Sequence, residues 1–441
     1  MTSLISGFLR HAKERPDAPA LWVDEREYSY DEMLYRAWAD AWSMGMPALH
    51  GIMQFRLDHE LPYVRLLAAN QHGLAYMPLP ESMERARAMA KAVAHAKPTG
   101  IAYIMFTSGS TGEPKGVPIT HTNALAYVRY MADLLEIGPD SRCSQMHDLT
   151  FDFSVHDLWT TWEGGGCLYV VPEAERFAPA SFIKRHELTH FACVPSVLAS
   201  MERLGLLTEN AFPSLTHAVF CGEPLPQRSA EAFERAAPGC TFYNIYGPTE
   251  ATVAITKYQW KPGISATECR NNMVPIGWPF PDHETRINPD GELCLKGPQV
   301  FGGYWNDPET TAEKLIDGWY HTGDIVAEGS LGCLHFQGRK DNQVQVRGHR
   351  VELGEIESVI RELGYECVCI GWPVRDGSAE GVVAFVVDGL ALNVEDECAK
   401  RLPTYMVPTR VIGLPHGFPL NSNSKVDRKA LAQILETEEA A

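Results

Sequence analysis

Residues 106–116 read Phe-Thr-Ser-Gly-Ser-Thr-Gly-Glu-Pro-Lys-Gly. Thr107, Ser108, Ser110 and Thr111 supply hydroxyls, Lys115 a positive charge, and Gly109, Gly112 and Gly116 let the backbone approach a ligand closely. Together they suit a polyphosphate. The stretch is not a Walker-type loop, because Lys115 is followed by Gly116 rather than Ser or Thr and the glycine spacing differs. A plain surface loop would not need so many donors in one turn. A second cluster, Tyr243–Glu250, offers Tyr246 to stack on a base, Gly247 to turn, Thr249 as a hydroxyl and Glu250 for Mg2+, which favours carboxylate and phosphate oxygens. Its bland alternative is a Gly-Pro turn with a solvent-facing glutamate. In His321-Thr-Gly-Asp, Asp324 can accept both hydroxyls of a ribose, although Gly-Asp turns are common. Asp152, set in Phe151-Asp-Phe-Ser, either caps a helix starting near Val155 or meets a cation. Lys425 by itself reads as a solvated lysine in a basic tail.

The elements that must position these groups alternate strand with helix. Tyr103–Met105 reads as a buried strand end before the glycine-hydroxyl loop. Beyond the loop Leu125, Val128, Met131 and Leu135 recur at helical spacing, with Thr122 or Asn123 as the cap. The loop is thus expected between a strand and a helix. Strands at 167–171, 189–194, 217–221 and 240–245 alternate with helices after 195 and over 228–236, and a Met/Ala-rich helix is expected over 84–95. Such alternation predicts a multi-domain α/β fold with parallel or mixed sheets flanked by helices. Ligands of such sheets bind beyond the C-terminal strand ends, where 106–116, 222–224 and 246–250 fall. Residues 273–337 read as a β-rich subdomain and 338–348 as a hinge. An α+β segment follows, with a helix over 352–363, strands at 366–371 and 382–387 and a helix near 395–401. The expected domains are a large N-terminal one (1–340) and a small mobile one (341–441).

At 441 residues the chain exceeds one compact core. Its net charge of −18 excludes nucleic acid as the main partner, though not a nucleotide, which needs only local donors. No apolar run approaches a membrane span and the N-terminus lacks a secretory h-region, so the expectation is a cytoplasmic protein with no membrane partner. The 11 cysteines are scattered without a C-x-x-C pair, which argues against structural zinc and for buried, reduced thiols. Cys367 and Cys369 should face the same way in one strand.

The set resembles the adenylate-forming superfamily, in particular the amino-acid adenylation domains of nonribosomal peptide synthetases and D-alanine–carrier-protein ligases. The matching stretches are FTSGSTGEPKG (106–116), FDFSVHDL (151–158), YNIYGPTEAT (243–252), ELCLKGPQVFGGYWNDPETTAEKL (292–315), HTGDI (321–325), GRKDNQVQVRGHRVELGEIE (338–357) and NSKVDRKAL (423–431), in the family's order and across nearly the whole chain. The resemblance implies that ATP and a carboxylic acid form an acyl-adenylate and pyrophosphate, and that a phosphopantetheine thiol then takes the acyl group. It implies that the 107–115 loop wraps the β- and γ-phosphates, Tyr246 stacks on adenine with Asn244 and Gly222-Glu223-Pro224 along its edge, and Asp324 and Arg339 hold the ribose. Thr249 and Glu250 would serve phosphate and Mg2+, and Lys425 would stabilise charge at the carboxylate and α-phosphate as a catalytic group. Asp341 is the family's hinge position. Gln345 stands where many members carry a lysine used in thiol transfer, and the span between Pro80 and Ile101 is short for the family.

In the family an aspartate at the Asp152 position pairs with an α-ammonium, which implies an amino-acid substrate rather than the acyl or aryl acid of a CoA ligase. The other pocket positions by resemblance are Phe153, His156, Ala192, Val219, Cys221, Ile245, Val253 and Ala254. A mostly apolar lining predicts a small neutral amino acid, alanine of either hand first, with serine, threonine or proline behind. No carrier sequence is recognised here, so the resemblance implies a free-standing monomeric ligase using ATP and Mg2+, with a carrier protein bound in trans.

Overall fold

The computed structural model describes residues 3–43, 52–56, 62–80, 89, 100–107, 114–340, 343–387, 393–415, 417–419 and 426–439. Its central sheet has nine strands, in the order Trp278–Pro279, Thr256–Gln259, Thr241–Tyr246, His217–Phe220, His190–Cys193, Arg142–Gln145, Cys167–Val170, Pro19–Val23 and Arg26–Ser29. Neighbours are parallel from Thr241–Tyr246 to Pro19–Val23 and antiparallel at both margins. Both faces are covered, so the middle strands are apolar on alternate sides. In His217–Phe220, Ala218 and Phe220 pack with Leu198, Met201 and Phe233 of the helices Pro195–Arg203 and Gln227–Ala236. Val219 turns to the opposite core, with Tyr127 and Val128.

A second sheet runs Ile52–Arg56, Ala75–Leu79, Ile101–Thr107, Lys115–Thr120. Its last two strands are antiparallel, with Phe106 opposite Gly116 and Thr107 opposite Lys115. The glycine-hydroxyl loop therefore closes a hairpin, where the sequence pattern suggests a strand-to-helix turn. Val117 and Ile119 point inward, and Pro118 is tolerated because its strand lies at the sheet edge. The helix His121–Leu134 begins one strand later. Its cap is Thr120, neither Thr122 nor Asn123: the Thr120 hydroxyl accepts the Asn123 N–H at 3.1 Å, and Asn123 Oδ1 accepts the Thr120 N–H at 3.1 Å. The helix expected over 84–95 lies outside the described residues except Met89.

The β-rich region forms an antiparallel sheet of Glu284–Ile287, Glu292–Lys296, Trp319–Glu328 and Leu315–Ile316, with Leu334–Arg339 also paired to Trp319–Glu328. Residues from 343 onward build two further sheets around cores of their own, one with Val346, Ile356 and Cys369, the other with Val368, Phe385 and Leu431. Cys367 and Cys369 share the first core while Val368 and Ile370 enter the second, as strand alternation requires. All 11 cysteines are free thiols, nine of them buried. No helix among the described residues is long and apolar enough to cross a membrane.

Candidate active site

The C-terminal ends of the parallel strands open onto a cavity of about 250 Å³. Strand Thr241–Tyr246 delivers Asn244, Ile245 and Tyr246, and the turn after it Gly247 and Thr249. A Cβ on Gly247 would stand 2.5 Å from the Ala254 Cα, so only glycine fits beneath the following segment. Strand His217–Phe220 leads into Cys221, Gly222, Glu223 and Pro224 on the wall. Asp324 and Arg339 enter from the β-rich sheet, where they are directly paired residues of neighbouring strands.

Their polar groups are interlocked. Arg339 donates to Asp324 Oδ1 and to the Thr322 carbonyl, and the Tyr246 hydroxyl donates to Asp324 Oδ2. Asn244 donates to the Pro275 carbonyl at 2.8 Å, which ties the strand end to the adjoining loop. Glu223 accepts the Ser196 N–H at 2.7 Å and the Ser378 hydroxyl at 2.8 Å.

Asp152 and Phe153 form the far wall. Asp152 occupies the N-cap position of Phe153–Val155 yet makes no capping bond, so the capping alternative fails. Its carboxylate meets the Thr249 hydroxyl instead, and burial pushes the carboxyl up to about 6. After Val155 the chain makes a π-helical turn, His156–Thr160. Thr160 and Thr161 donate their hydroxyls back to the His156 and Asp157 carbonyls, a local competition that loosens regular helical bonding.

Four of the expected pocket positions, His156, Ala192, Val219 and Ala254, do not line this cavity. His156, Ala192 and Val219 line a separate void of about 20 Å³, next to Phe153. His156 acts as a partition: Tyr127 Oη lies 2.9 Å from its Nδ1, and burial lowers the imidazole to about 4, so the ring is neutral. Ala254 lies behind Gly247, its carbonyl accepting from Gln299. Cys221, Ile245 and Val253 do line the larger cavity.

Glu250 is buried beside Thr249. Its Oε1 accepts the Tyr304 hydroxyl at 2.7 Å and its Oε2 faces Arg350 Nη1 at 3.1 Å. Burial, the largest single influence, raises its carboxyl, but Arg350, Tyr304 and further hydrogen bonds together outweigh it and hold the group below its ordinary range. Lys115 also meets Tyr304, its Nζ 5.7 Å from the ring centroid. Thr107 ends the preceding strand, whereas Ser108, Gly109, Ser110, Thr111 and Gly112 lie outside the described residues.

The C-terminal region closes the cavity with Gln343, Gln345, Gly348, Arg350 and the 374–379 hairpin. Gly348, at φ +85°, packs so closely on Val194 that a Cβ would stand 2.5 Å from its Cγ1. Arg228–Asp376 and Arg203–Glu380 join the two regions further out. Lys425 and Asp341 lie outside the described residues. The residues after Lys425 do not line the cavity: Val426 packs in the second C-terminal core, and Arg428 bonds Glu357. Arg350 and Tyr304 are the site residues sequence reasoning missed. Both lie inside the motif stretches 338–357 and 292–315, and a tyrosine and an arginine there gave no sign of which distant carboxylate they meet.

Residues 56–305 match the AMP-binding enzyme family, more than half of the chain. The chain belongs to the AMP-binding enzyme family. This AMP-binding enzyme is 34% identical over 357 residues to an L-proline–[L-prolyl-carrier protein] ligase of Pseudomonas fluorescens, covering 77% of this chain and 70% of that protein. It is 33% identical over 353 residues to a D-alanine–D-alanyl carrier protein ligase of Staphylococcus haemolyticus, covering 76% and 72%. Among solved structures, the Vibrio cholerae adenylation domain AlmE, in complex with glycyl-adenosine-5'-phosphate, superposes with a TM-score of 0.88 at 28% identity over 98% of both chains.

Proposed function

We propose that this AMP-binding enzyme activates a small neutral α-amino acid with ATP and passes the aminoacyl group to the pantetheine thiol of a separate carrier protein. The observation that carries the reading is Asp152. Its buried carboxylate stands on the wall of a nucleotide-sized cavity, bonded to a hydroxyl and to no side-chain cation among the described residues. A buried anion of this kind favours a ligand that brings its own positive charge, as an α-ammonium does.

The remaining roles follow from the site. Tyr246 stacks on adenine, its hydroxyl anchored by Asp324, and Asp324 with Arg339 receives the ribose. Lys115 and the hairpin loop grip the phosphates. Glu250 already turns one oxygen toward a cation, so its carboxylate fits a metal ion once Arg350 withdraws. Mg2+, when bound, neutralises charge on the phosphate oxygens. Residues 341–441 act as a lid turning about Asp341. In the arrangement seen, the lid presents Gln345 and Arg350 to the cavity, which suits thiol transfer; the opposite arrangement brings in Lys425 for adenylation. A cleft of about 1040 Å³ between the lid and the core then receives the pantetheine arm.

Alanine or glycine is the preferred substrate, with serine, threonine and proline behind. The 20 Å³ void beyond His156 leaves little depth for a larger side chain. The relatives, whose names carry proline, D-alanine and glycyl groups, support small neutral substrates. Incubation with ATP, Mg2+ and alanine or glycine should yield the aminoacyl-adenylate by mass spectrometry. Formation of an adenylate only from acids lacking an α-amino group would make this a CoA-ligase-type enzyme instead.

A further inference from the structure

His147 and Asp157 form a dyad to which none of the roles above assigns a task. His147 Nδ1 lies 2.8 Å from Asp157 Oδ2, and both side chains are buried. The same oxygen accepts the Met146 N–H at 2.9 Å, which fixes the carboxylate. With Nδ1 donating to the carboxylate, Nε2 carries the imidazole lone pair, the arrangement that orients a histidine as a base. Nε2 has no hydrogen-bond partner among the described residues although it is buried.

The place of the ring gives that lone pair a use. His147 stacks on Phe153 with centroids 4.1 Å apart and meets Phe151 at 5.9 Å. His147 lines the 1040 Å³ cleft, Phe153 lines the nucleotide cavity, and Phe151 lines both. The ring therefore stands at the inner end of the cleft, where it meets the adenylate cavity. The titratable groups coupled to it are Asp157, Asp152, His156 and His349, and Asp148 lies next along the chain.

We propose that the Asp157–His147 dyad is the general base of the thiol-transfer step; this rests on the two-step function above. His147 Nε2 takes the proton of the incoming thiol as its sulfur attacks the acyl carbonyl. The carbon–sulfur bond forms, the bond from the acyl carbon to the phosphate oxygen breaks, and AMP leaves with the electron pair. The imidazolium, held by Asp157, then returns the proton to solvent. A thiol ionises near pH 8.5, so a base at the cleft end matters most near neutrality.

His147→Gln keeps bulk and polarity but removes the base. The two half-reactions are measured separately on the full chain, as alanine-dependent ATP–pyrophosphate exchange and as aminoacyl transfer to free pantetheine from pH 6 to 9.5. The expected result is exchange within about threefold of wild type and transfer lowered about 100-fold at pH 7. That loss should shrink steadily toward pH 9.5 as the thiol ionises unaided. His147→Phe, which retains the ring stack on Phe153, should behave the same way and stands in if the glutamine variant does not fold. Unchanged transfer, a loss independent of pH, or an equal loss in both half-reactions would overturn the dyad's role while leaving the two-step reading intact. Failure of the wild-type chain to exchange with any amino acid would overturn both.

Discussion

The guanidinium of Arg350 lies 3.1 Å from the carboxylate of Glu250, which is 1% exposed. The two residues are 100 positions apart, and their contact joins the C-terminal region to the turn Thr249–Ala251 beside the cavity. Held by Arg350, that carboxylate oxygen has less charge and less room to offer a divalent ion. On the proposed function, closure of the C-terminal region in this arrangement would therefore disfavour a metal ion at Glu250.

Arg350→Ala should separate the two steps. It leaves Glu250 as a buried carboxylate with its cation gone, a change that costs about 3–5 kcal/mol where such pairs are broken. The Mg2+ concentration needed for half-maximal pyrophosphate exchange should fall, and transfer to pantetheine should slow at least about tenfold. Titration of Mg2+ in both assays checks this. A parallel loss in the two steps would mean that Arg350 only stabilises the fold.

The amino-acid KM should follow the ionisation of Asp152. Burial raises its carboxyl to about 6, so it is charged above that pH and neutral below it. The partner of the substrate ammonium is thus present at pH 7 and lost as pH falls through 6. KM for the amino acid should climb between pH 7 and 5 while KM for ATP changes little. Asp152→Asn should raise the amino-acid KM about 100-fold or more and abolish that pH dependence.

The partition formed by Tyr127 and His156 should set substrate size. Tyr127→Phe removes one buried hydrogen bond, about 1 kcal/mol, without changing volume. His156→Ala joins the cavity of about 250 Å³ to the 20 Å³ void. Activity toward alanine or glycine should survive the first change, and valine or leucine should gain at least about tenfold in relative kcat/KM in the second. A competition assay with mixed amino acids reads the shift directly.

Lys425→Ala should lower adenylate formation by about 100-fold or more, the scale of losing a group that stabilises transition-state charge. Transfer from pre-formed aminoacyl-adenylate should stay near wild type, because the described residues flanking Lys425 lie away from the cavity in the arrangement that suits transfer. Single-turnover assays distinguish the two.

Most of the candidate site's clustering was legible because each part is local. Tyr246, Gly247 and Thr249 fall in one short turn at a strand end, and Asp324 meets Arg339 across one strand pair. Contacts between distant segments were not. Nothing in the spacing of Glu250 and Arg350 shows that they pair. The glycine-hydroxyl loop was misread as leading into a helix because Lys115–Thr120 is a short edge strand containing a proline, with only Val117 and Ile119 to mark its alternation. His156 belongs to the substrate wall by resemblance, but the π-helical turn places it on the adjoining void as well as against Phe153. The pairing of Asp157 with His147 has no local signature either, since the two residues belong to different elements, a π-helical turn and the segment after strand Arg142–Gln145.

The central claim is that the acid substrate is a small neutral amino acid, and ATP–pyrophosphate exchange across the L-amino acids, D-alanine and glycine tests it most directly. Alanine or glycine should give the highest kcat/KM, with acidic, basic and large aromatic amino acids at least about 100-fold lower. Highest exchange with a charged or large aromatic amino acid, or with an acid lacking the α-amino group, would contradict the account.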